Sequence, residues 1–449
     1  MDLRAKLLRA GALTAGSYSV ELITRLLSNL ILTRLLFPEA FGLMAASTSL
    51  LVGLSLVSDF GIRAIVIQSP RGASESFLHA AWAFQITRGI ILWLILLTCS
   101  AALSVPAIHD LIPKESVFSN KAFPTLTIIL GLGLLLTSLE STAIPLSARN
   151  LNYRPIVVLD LVGKITPVPI MIGCAVLFPS VWALALGTVV GSVVRTALSH
   201  MIIPGPRMAW KWQAAHVQEI LHFGKWITVS SVATFFAVQS DVILFGLLFP
   251  SAFVGVYFIA KTLIDAVEGL LEKLNGSLTL PVVGEVLRRD PDNLQGRFYR
   301  FRLPIDIVAF TCGGMLFEIG ERIIAMLYDP RYAEAGPILQ LFGLGLAMYP
   351  FQLIRSAFTA IAKTRVVALV SILQAVALVC GLLGGNFLFG ARGAVIGIVL
   401  SRIIPSAVTM WLAHRYKWIS VRHELRAIPL FVLGVIMGRL FLLLPSRFW

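Results

Sequence analysis

Residues Ile165–Val194 read ITPVPIMIGCAVLFPSVWALALGTVVGSVV, thirty positions without an Asp, Glu, Lys or Arg. About 20 apolar residues cross a bilayer as a helix, and Pro179 divides this run into the end of one such helix and the start of another. Val366–Ala391, with 26 residues, and Ala335–Ile354, with 20, are equally free of charge. No soluble core calls for uncharged runs of this length. The expected fold is an all-α polytopic membrane protein.

Composition agrees. Of the 449 residues 57% are hydrophobic and 13% charged, against about 25% charged in a soluble globular domain. A cytosolic enzyme, a disordered chain and a secreted disulfide scaffold are excluded. The formal charge of +14 would suggest nucleic acid in a soluble protein. Here the basic residues alternate between apolar segments, so their reading is topological and no nucleic-acid partner is expected. Cys99, Cys174, Cys312 and Cys380 each stand alone within an apolar segment, which predicts buried packing residues rather than a metal site or disulfides. The basic N-terminus is followed by a segment too polar for a cleaved signal sequence, and a retained first helix is expected.

Charge clusters and Pro/Gly turns place spans near 11–33, 41–67, 78–105, 123–147, 154–177 and 181–203. A second set lies near 220–247, 252–284, 299–327, 335–361, 366–388 and 393–414, and a thirteenth spanning helix is expected at 427–444. With the N-terminus cytoplasmic, nineteen basic residues fall inside. They are Arg4, Lys6, Arg9, Arg71, Arg149, Arg154, Arg207, Lys211, Arg288, Arg289, Arg297, Arg300, Arg302, Lys363, Arg365, Arg415, Lys417, Arg422 and Arg426. Six fall outside: Arg34, Lys114, Lys121, Arg331, Arg392 and Arg447. The asymmetry orients the chain.

The chain also repeats itself. Phe37, Pro38, Ala40 and Phe41 recur as Phe249, Pro250, Ala252 and Phe253 at a shift of 212, which also carries Gly131-Leu132-Gly133-Leu134 onto Gly343-Leu344-Gly345-Leu346. Six helices separate the copies, so the halves are parallel, as in transporters whose lobes rock about a central cavity. The expected organisation is an N-lobe at 1–203, a cytoplasmic linker at 204–219, a C-lobe at 220–415 and a C-terminal basic segment with the thirteenth helix at 416–449.

The stretch Ile31-Leu32-Thr33-Arg34-Leu35-Leu36-Phe37-Pro38-Glu39-Ala40-Phe41-Gly42 resembles the first-loop signature of bacterial polysaccharide transporters, the Wzx-like oligosaccharide flippases. Ser58-Asp59-Phe60-Gly61-Ile62 and Ile65-Val66-Ile67-Gln68 resemble the end of their second helix. Gln239-Ser240-Asp241-Val242-Ile243-Leu244-Phe245-Gly246 and Gly255-Val256-Tyr257-Phe258-Ile259-Ala260 resemble the start of their second lobe. This superfamily also contains the multidrug exporters of MATE type. The resemblance implies movement of an undecaprenyl-diphosphate-linked oligosaccharide across the bacterial cytoplasmic membrane, for exopolysaccharide, capsule or O-antigen synthesis, beside polymerase and export machinery. Many members have fourteen helices, one more than the segments found here.

Ionisable residues inside a membrane face a cavity or a partner. Tyr18, Glu21, Arg25 and Asn29 share one face of helix 1, and Ser55, Asp59 and Arg63 one face of helix 2. Gln85 and Arg88 lie on helix 3. Lys261, Asp265, Glu268 and Glu272 form a stripe on helix 8, and Arg355 lies on helix 10. For a lipid diphosphate, Arg25, Arg88, Lys261 and Arg355 are the expected anion ligands, since guanidinium groups pair bidentately with phosphate. Tyr18, Asn29, Gln85 and Gln239 are expected to bind sugar. Glu21, Asp59, Asp241 and Asp265 are placed to couple transport to H⁺ or Na⁺, and no other cofactor is expected. A structural reading stands beside each assignment. Glu21–Arg25, Asp160–Lys164 and Lys261–Asp265 are spaced to neutralise one another within a helix, and Arg63 and Arg195 lie near enough to helix ends to snorkel.

No nucleophile–base pair, phosphate loop or zinc motif occurs in the sequence, so an enzyme is not expected. A cation-coupled exporter of small molecules is the first alternative, although its cavity should be acidic and aromatic. A membrane glycosyltransferase or polymerase is the second. The longest outside loop, Pro106–Ala122, is short for catalytic residues.

Overall fold

The computed structural model describes residues 3–289, 294–360, 363–416, 424 and 427–443. Lys417, Arg422, Arg426, Arg447 and Leu444 lie outside them, as do the side chains of Arg4, Lys6, Arg9, Arg288 and Arg289. The regular structure of the described residues is all helical, without a strand. Seven helices among them are long and apolar enough to cross a membrane, or eight when one bent pair is counted as a single span. Several of the expected spans are interrupted, and the interruptions carry the chemistry below. The chain divides into two compact units, Met1–Gly255 and Val256–Trp449.

The first unit contains α1 (Leu3–Leu35), α2 (Pro38–Val57), α3 (Ile62–Gln68), α4 (Glu75–Leu103), α5 (Ala122–Ser138) and α6 (Ala143–Arg149). Then come α7 (Arg154–Ile165), α8 (Pro167–Leu177), α9 (Val181–Met201), α10 (Ala214–Val238), α11 (Ser240–Leu248) and the first turn of α12 (Ser251–Arg289). The span expected at 41–67 stops at Val57 because Gly61 takes a left-handed backbone, φ +65°, a conformation glycine adopts without a Cβ penalty. Asp59 stabilises the break by accepting the Gly61 N–H at 2.9 Å. The span expected at 123–147 bends by 55° between α5 and α6. Pro167 begins α8 and so separates it from α7, because proline cannot donate the hydrogen bond that would continue the helix.

The recurring Phe-Pro-x-Ala-Phe turns meet each other in this unit. A Cβ on Gly42 would fall 2.7 Å from the Ser251 carbonyl carbon, and one on Gly255 would fall 2.7 Å from the Pro38 carbonyl carbon. The contact is reciprocal, each copy presenting its glycine to the turn of the other. Absence of a side chain lets the backbones touch.

The second unit continues α12 and adds α13 (Leu294–Leu327), α14 (Ala335–Leu346), α15 (Tyr349–Ala360), α16 (Thr364–Ser401), α17 (Ile403–Arg415) and α18 (Ile428–Leu442). α16 is a hairpin rather than one rod. Its helical geometry fails at Phe389 and Gly390, where Gly390 has φ +61°. Gly381 and Gly385 on the first arm then lie against Gly397 and Gly393 on the second. This reversal separates the two spans expected at 366–388 and 393–414. Gly343 is similarly close to α13, its Cβ position 2.7 Å from the Gly313 carbonyl oxygen.

α18 lies within the segment expected to hold the thirteenth helix and packs on α13. Cβ atoms at Gly314 and Gly434 would reach 3.0 Å from Val435 N and Met315 N respectively. Arg439, the one charge in α18, pairs with Glu318 of α13 at 2.9 Å. The cysteines depart from expectation. Cys99 and Cys380 are exposed and Cys174 and Cys312 half-buried, because an apolar span has an outer surface that lipid covers.

Candidate functional site: polar cavities within the spans

The bend between α5 and α6 leaves carbonyls without helical partners, and in hydrocarbon each such group costs several kcal/mol. Side chains from α4 and α9 satisfy them. Trp82 Nε1 and His200 Nε2 donate to the Leu139 oxygen at 3.1 and 2.8 Å. Gln85 Nε2 donates to the Ser138 oxygen at 2.9 Å, and Thr196 Oγ1 adds a bond at 2.8 Å to the Leu136 oxygen, which also accepts the Leu139 N–H at 2.9 Å. On α4, one turn from Gln85, Arg88 caps the end of α2. Its Nε donates to Ser58 Oγ at 3.0 Å and its Nη2 to the Ser55 carbonyl at 2.6 Å.

Glu140, at the same bend, accepts from Arg195 Nε at 2.8 Å, and Arg195 Nη1 donates to Asp160 Oδ1 at 2.5 Å. Arg195 thus joins α9, α7 and the bend rather than snorkelling to the surface. Beside it Lys164 pairs with Glu21 of α1. The structure therefore replaces the expected pairs Glu21–Arg25 and Asp160–Lys164 with Glu21–Lys164 and Asp160–Arg195. Helices packed side by side bring opposite charges closer than one turn of a single helix does.

A cavity of about 210 Å³ opens among these groups, lined by Ser55, Gln85, Arg88, Thr137, Ser138 and Glu140, with Gly89, Leu92 and Leu134 as its apolar wall. Only Gln85 and Arg88 among the sequence candidates line it. On α1, Tyr18, Glu21 and Asn29 are half-buried and Arg25 exposed. Asp59 sits in the α2–α3 break, its backbone oxygen bound by Thr228 Oγ1 at 2.8 Å. Gln239 lies at the α10–α11 junction, where its Oε1 accepts from Ser49 at 3.4 Å. Asp241, in the first turn of α11, is buried.

In the second unit, Arg355 Nη1 donates to Gln374 Oε1 at 2.9 Å, and Arg402 Nη1 pairs with Glu268 Oε1 at 2.5 Å. Arg355, Gln374 and Arg402 border a small cavity of about 20 Å³, which Gln352, Ser406 and Thr409 also line. On α12 Lys261 is half-buried and Asp265 exposed. Farther along α13, Arg302 is 1% exposed, with Nη1 and Nη2 on the two oxygens of Glu424 at 2.9 and 2.6 Å and Nε on Asp306 at 2.8 Å. Tyr299 donates to Glu424 at 2.8 Å.

Glu140, Arg402 and the role of Glu424 escaped the sequence reading. Glu140 stands next to the bend and Arg402 at the joint of α16 and α17, and the signal that could have found them is the proline in the first turn of each following helix, Pro145 in α6 and Pro405 in α17. The described residues contain no cluster able to hold a metal ion.

Apolar helices around polar, arginine-lined cavities define a multi-pass membrane protein. Its fold is similar to that of a solved lipid II flippase, MurJ, in an inward closed conformation, with a TM-score of 0.74, 13% identity and coverage of 97% of this chain and 94% of that one. An inward-facing multidrug resistance transporter of the MATE family is similar at a TM-score of 0.66, with 15% identity over 88% of this chain and 94% of that one. Residues 31–337 match the polysaccharide biosynthesis protein family, and the chain belongs to it. The lipopolysaccharide biosynthesis protein WzxC of Escherichia coli (strain K12) is 20% identical over 420 residues, 92% of this chain and 82% of that protein.

Proposed function

We propose that the protein flips an undecaprenyl-diphosphate-linked oligosaccharide from the inner to the outer leaflet of the bacterial cytoplasmic membrane, without catalysing a covalent step. The observation that carries this reading is the polar, arginine-lined cavity of about 210 Å³ within otherwise apolar helices of the first unit, beside which the second unit sets Arg355 and Arg402 at a water-sized opening of its own. A cargo with a polar headgroup and a hydrocarbon tail suits such sites, because its tail can remain in lipid while the cavity replaces the headgroup's water. The halves 1–203 and 220–415 act as lobes that expose the cargo to alternate sides, with the N-terminus cytoplasmic.

Diphosphate falls to Arg355, with Arg25 and Lys261 along its path. Arg355 and Arg402 bring guanidinium donors to one cavity beside the amides of Gln352 and Gln374, and a guanidinium fork fits phosphate oxygens. Tyr18, Asn29, Gln85 and Gln239 serve the glycan. Glu21, Asp59, Asp241 and Asp265 remain the coupling carboxylates for H⁺ or Na⁺. A polymerase and export machinery receive the product.

The test is reconstitution into liposomes carrying a fluorescent lipid-linked oligosaccharide, scored by its exposure to a membrane-impermeant lectin. Wild type should expose the glycan, and Arg355→Ala should slow exposure by about 10- to 100-fold, the equivalent of a lost charge-assisted hydrogen bond. Flipping by Arg355→Ala at the wild-type rate removes Arg355 from the site. Transport of small organic cations with no movement of the lipid-linked sugar replaces the flippase reading with that of an exporter.

A further inference from the structure

We infer that the cavity between α2, α4 and the α5–α6 bend is a subsite for one neutral pyranose ring of the cargo, with Glu140 and Arg88 as its specificity-determining acceptor and donor. This inference rests on the flippase reading and assigns Arg88 to sugar rather than to diphosphate.

Charge makes the first argument. Arg88 brings one positive charge to the cavity, but Glu140 also lines it and shares Arg195 with Asp160. One arginine between two carboxylates leaves an excess of one negative charge, which cancels Arg88. A diphosphate would meet no net attraction and would have a carboxylate among its neighbours. A neutral polyol meets no such penalty.

Hydrogen-bonding capacity makes the second. Among the described residues, Glu140 uses Oε1 on Arg195, and its Oε2 has no partner. Arg88 uses Nε and Nη2 on Ser58 and Ser55, which leaves Nη1. Gln85 uses Nε2 on the bend's carbonyls, which leaves Oε1. Ser138 and Thr137 donate their hydroxyl hydrogens to Leu135 and Leu134, so their oxygens still accept. The wall therefore offers one strong donor and several acceptors. A sugar hydroxyl both donates and accepts, whereas a phosphate oxygen only accepts, and most of this wall accepts too. The donor and acceptors are also fixed in place, because each side chain is held by its other polar atom. Preorganisation of this kind lowers the entropy lost on binding.

Size makes the third. The volume of about 210 Å³ lies below the range of about 300–1,000 Å³ usual for drug-sized ligands and has room for a single ring.

The experiment is native mass spectrometry of the purified full chain. Its probes are undecaprenyl diphosphate and undecaprenyl diphosphate bearing one glucosyl, galactosyl or N-acetylglucosaminyl ring. Wild type should hold at least one glycosylated lipid about ten-fold more tightly than the bare diphosphate, as expected for a hydrogen bond to a charged group. Glu140→Gln keeps its shape and its acceptor for Arg195, and Ser55→Leu fills the cavity while giving up only a weak contact. Either variant should abolish the preference; Ser55→Leu should leave affinity for the bare lipid unchanged, whereas Glu140→Gln, which leaves the Arg88 charge uncompensated, should raise it. Thermal melts identify a variant that misfolds, in which case the other decides.

Persistence of the preference in a folded variant overturns the subsite, as does its absence in wild type. Loss of bare-lipid binding in both folded variants makes the cavity a diphosphate site instead. Failure of wild type to bind any of these lipids removes the flippase reading itself, and the subsite falls with it.

Discussion

Gly42→Ala should destabilise the first unit through a single methyl group. The added Cβ would lie 2.7 Å from the Ser251 carbonyl carbon and 2.9 Å from Gly255 N, where ordinary contact begins at 3.4 Å. Every atom involved is backbone, so no side chain can swing away. The Ser251 carbonyl oxygen lies closer still, so the turn at Ser251–Gly255 must recede by more than about 0.7 Å from the start of α2. Overpacking of a tight site costs about 1–3 kcal/mol, and in a unit of this size each kcal/mol lowers the melting temperature by about 2–4 °C. The assay is thermal unfolding in detergent, with Gly16→Ala as the control. A Cβ at Gly16 meets nothing within 4 Å, and alanine gains about 1 kcal/mol in helix propensity, so the control should melt no lower than wild type. Gly255→Ala should match Gly42→Ala, and the double variant should cost less than the sum, since one displacement relieves both clashes. Equal melting of Gly42→Ala and Gly16→Ala would refute the reciprocal contact.

Three further outcomes follow from the same structure. Glu424→Ala leaves two nitrogens of the Arg302 guanidinium, 1% exposed, without an acceptor while Asp306 keeps its charge paired, and should cost about 1–3 kcal/mol in a thermal or denaturant melt; Arg302→Met with Glu424→Leu and Asp306→Leu should recover most of the loss. Gln85→Leu deprives the α5–α6 bend of its donor to the Ser138 carbonyl; the expected cost is about 1–3 kcal/mol, with faster amide exchange at the bend. Gly390→Ala should cost about 1–3 kcal/mol from backbone strain alone, because φ +61° with ψ −146° is a conformation reserved for glycine and nothing lies within 4 Å of the new methyl; Gly390→Asn should cost as much, and equal melting of all three proteins would contradict the hairpin geometry.

Much of the helical plan was legible in the sequence because it depends on the length and spacing of apolar runs. The Phe-Pro-x-Ala-Phe repeat was legible for a steric reason, since its Gly42 copy needs a particular backbone approach. Charge pairing was harder to read. Four-residue spacing made Glu21–Arg25 and Asp160–Lys164 natural partners on isolated helices, but α1, α7 and α9 pack closely enough for cross-helix pairs to prevail. The candidate site was half legible. Gln85 and Arg88 stand out as polar residues in an apolar helix, whereas Glu140 gains its importance from a 55° bend whose local sign is Pro145 in the first turn of α6. Arg439, the one charge in α18, finds its partner in Glu318, 121 positions away in the chain.

The hairpin within α16 also bears on how the chain is made. Its arms are joined through Phe389 and Gly390 and touch backbone to backbone at Gly381–Gly397 and Gly385–Gly393. Every contact along this seam is close in sequence, so closing it carries little loop entropy. Both arms can therefore leave the translocon already zipped, entering the bilayer as a single insertion unit before α17 and α18 are synthesised. A substitution that widens the seam would then act during biogenesis, reducing the yield of inserted protein more than the activity of the molecules that mature.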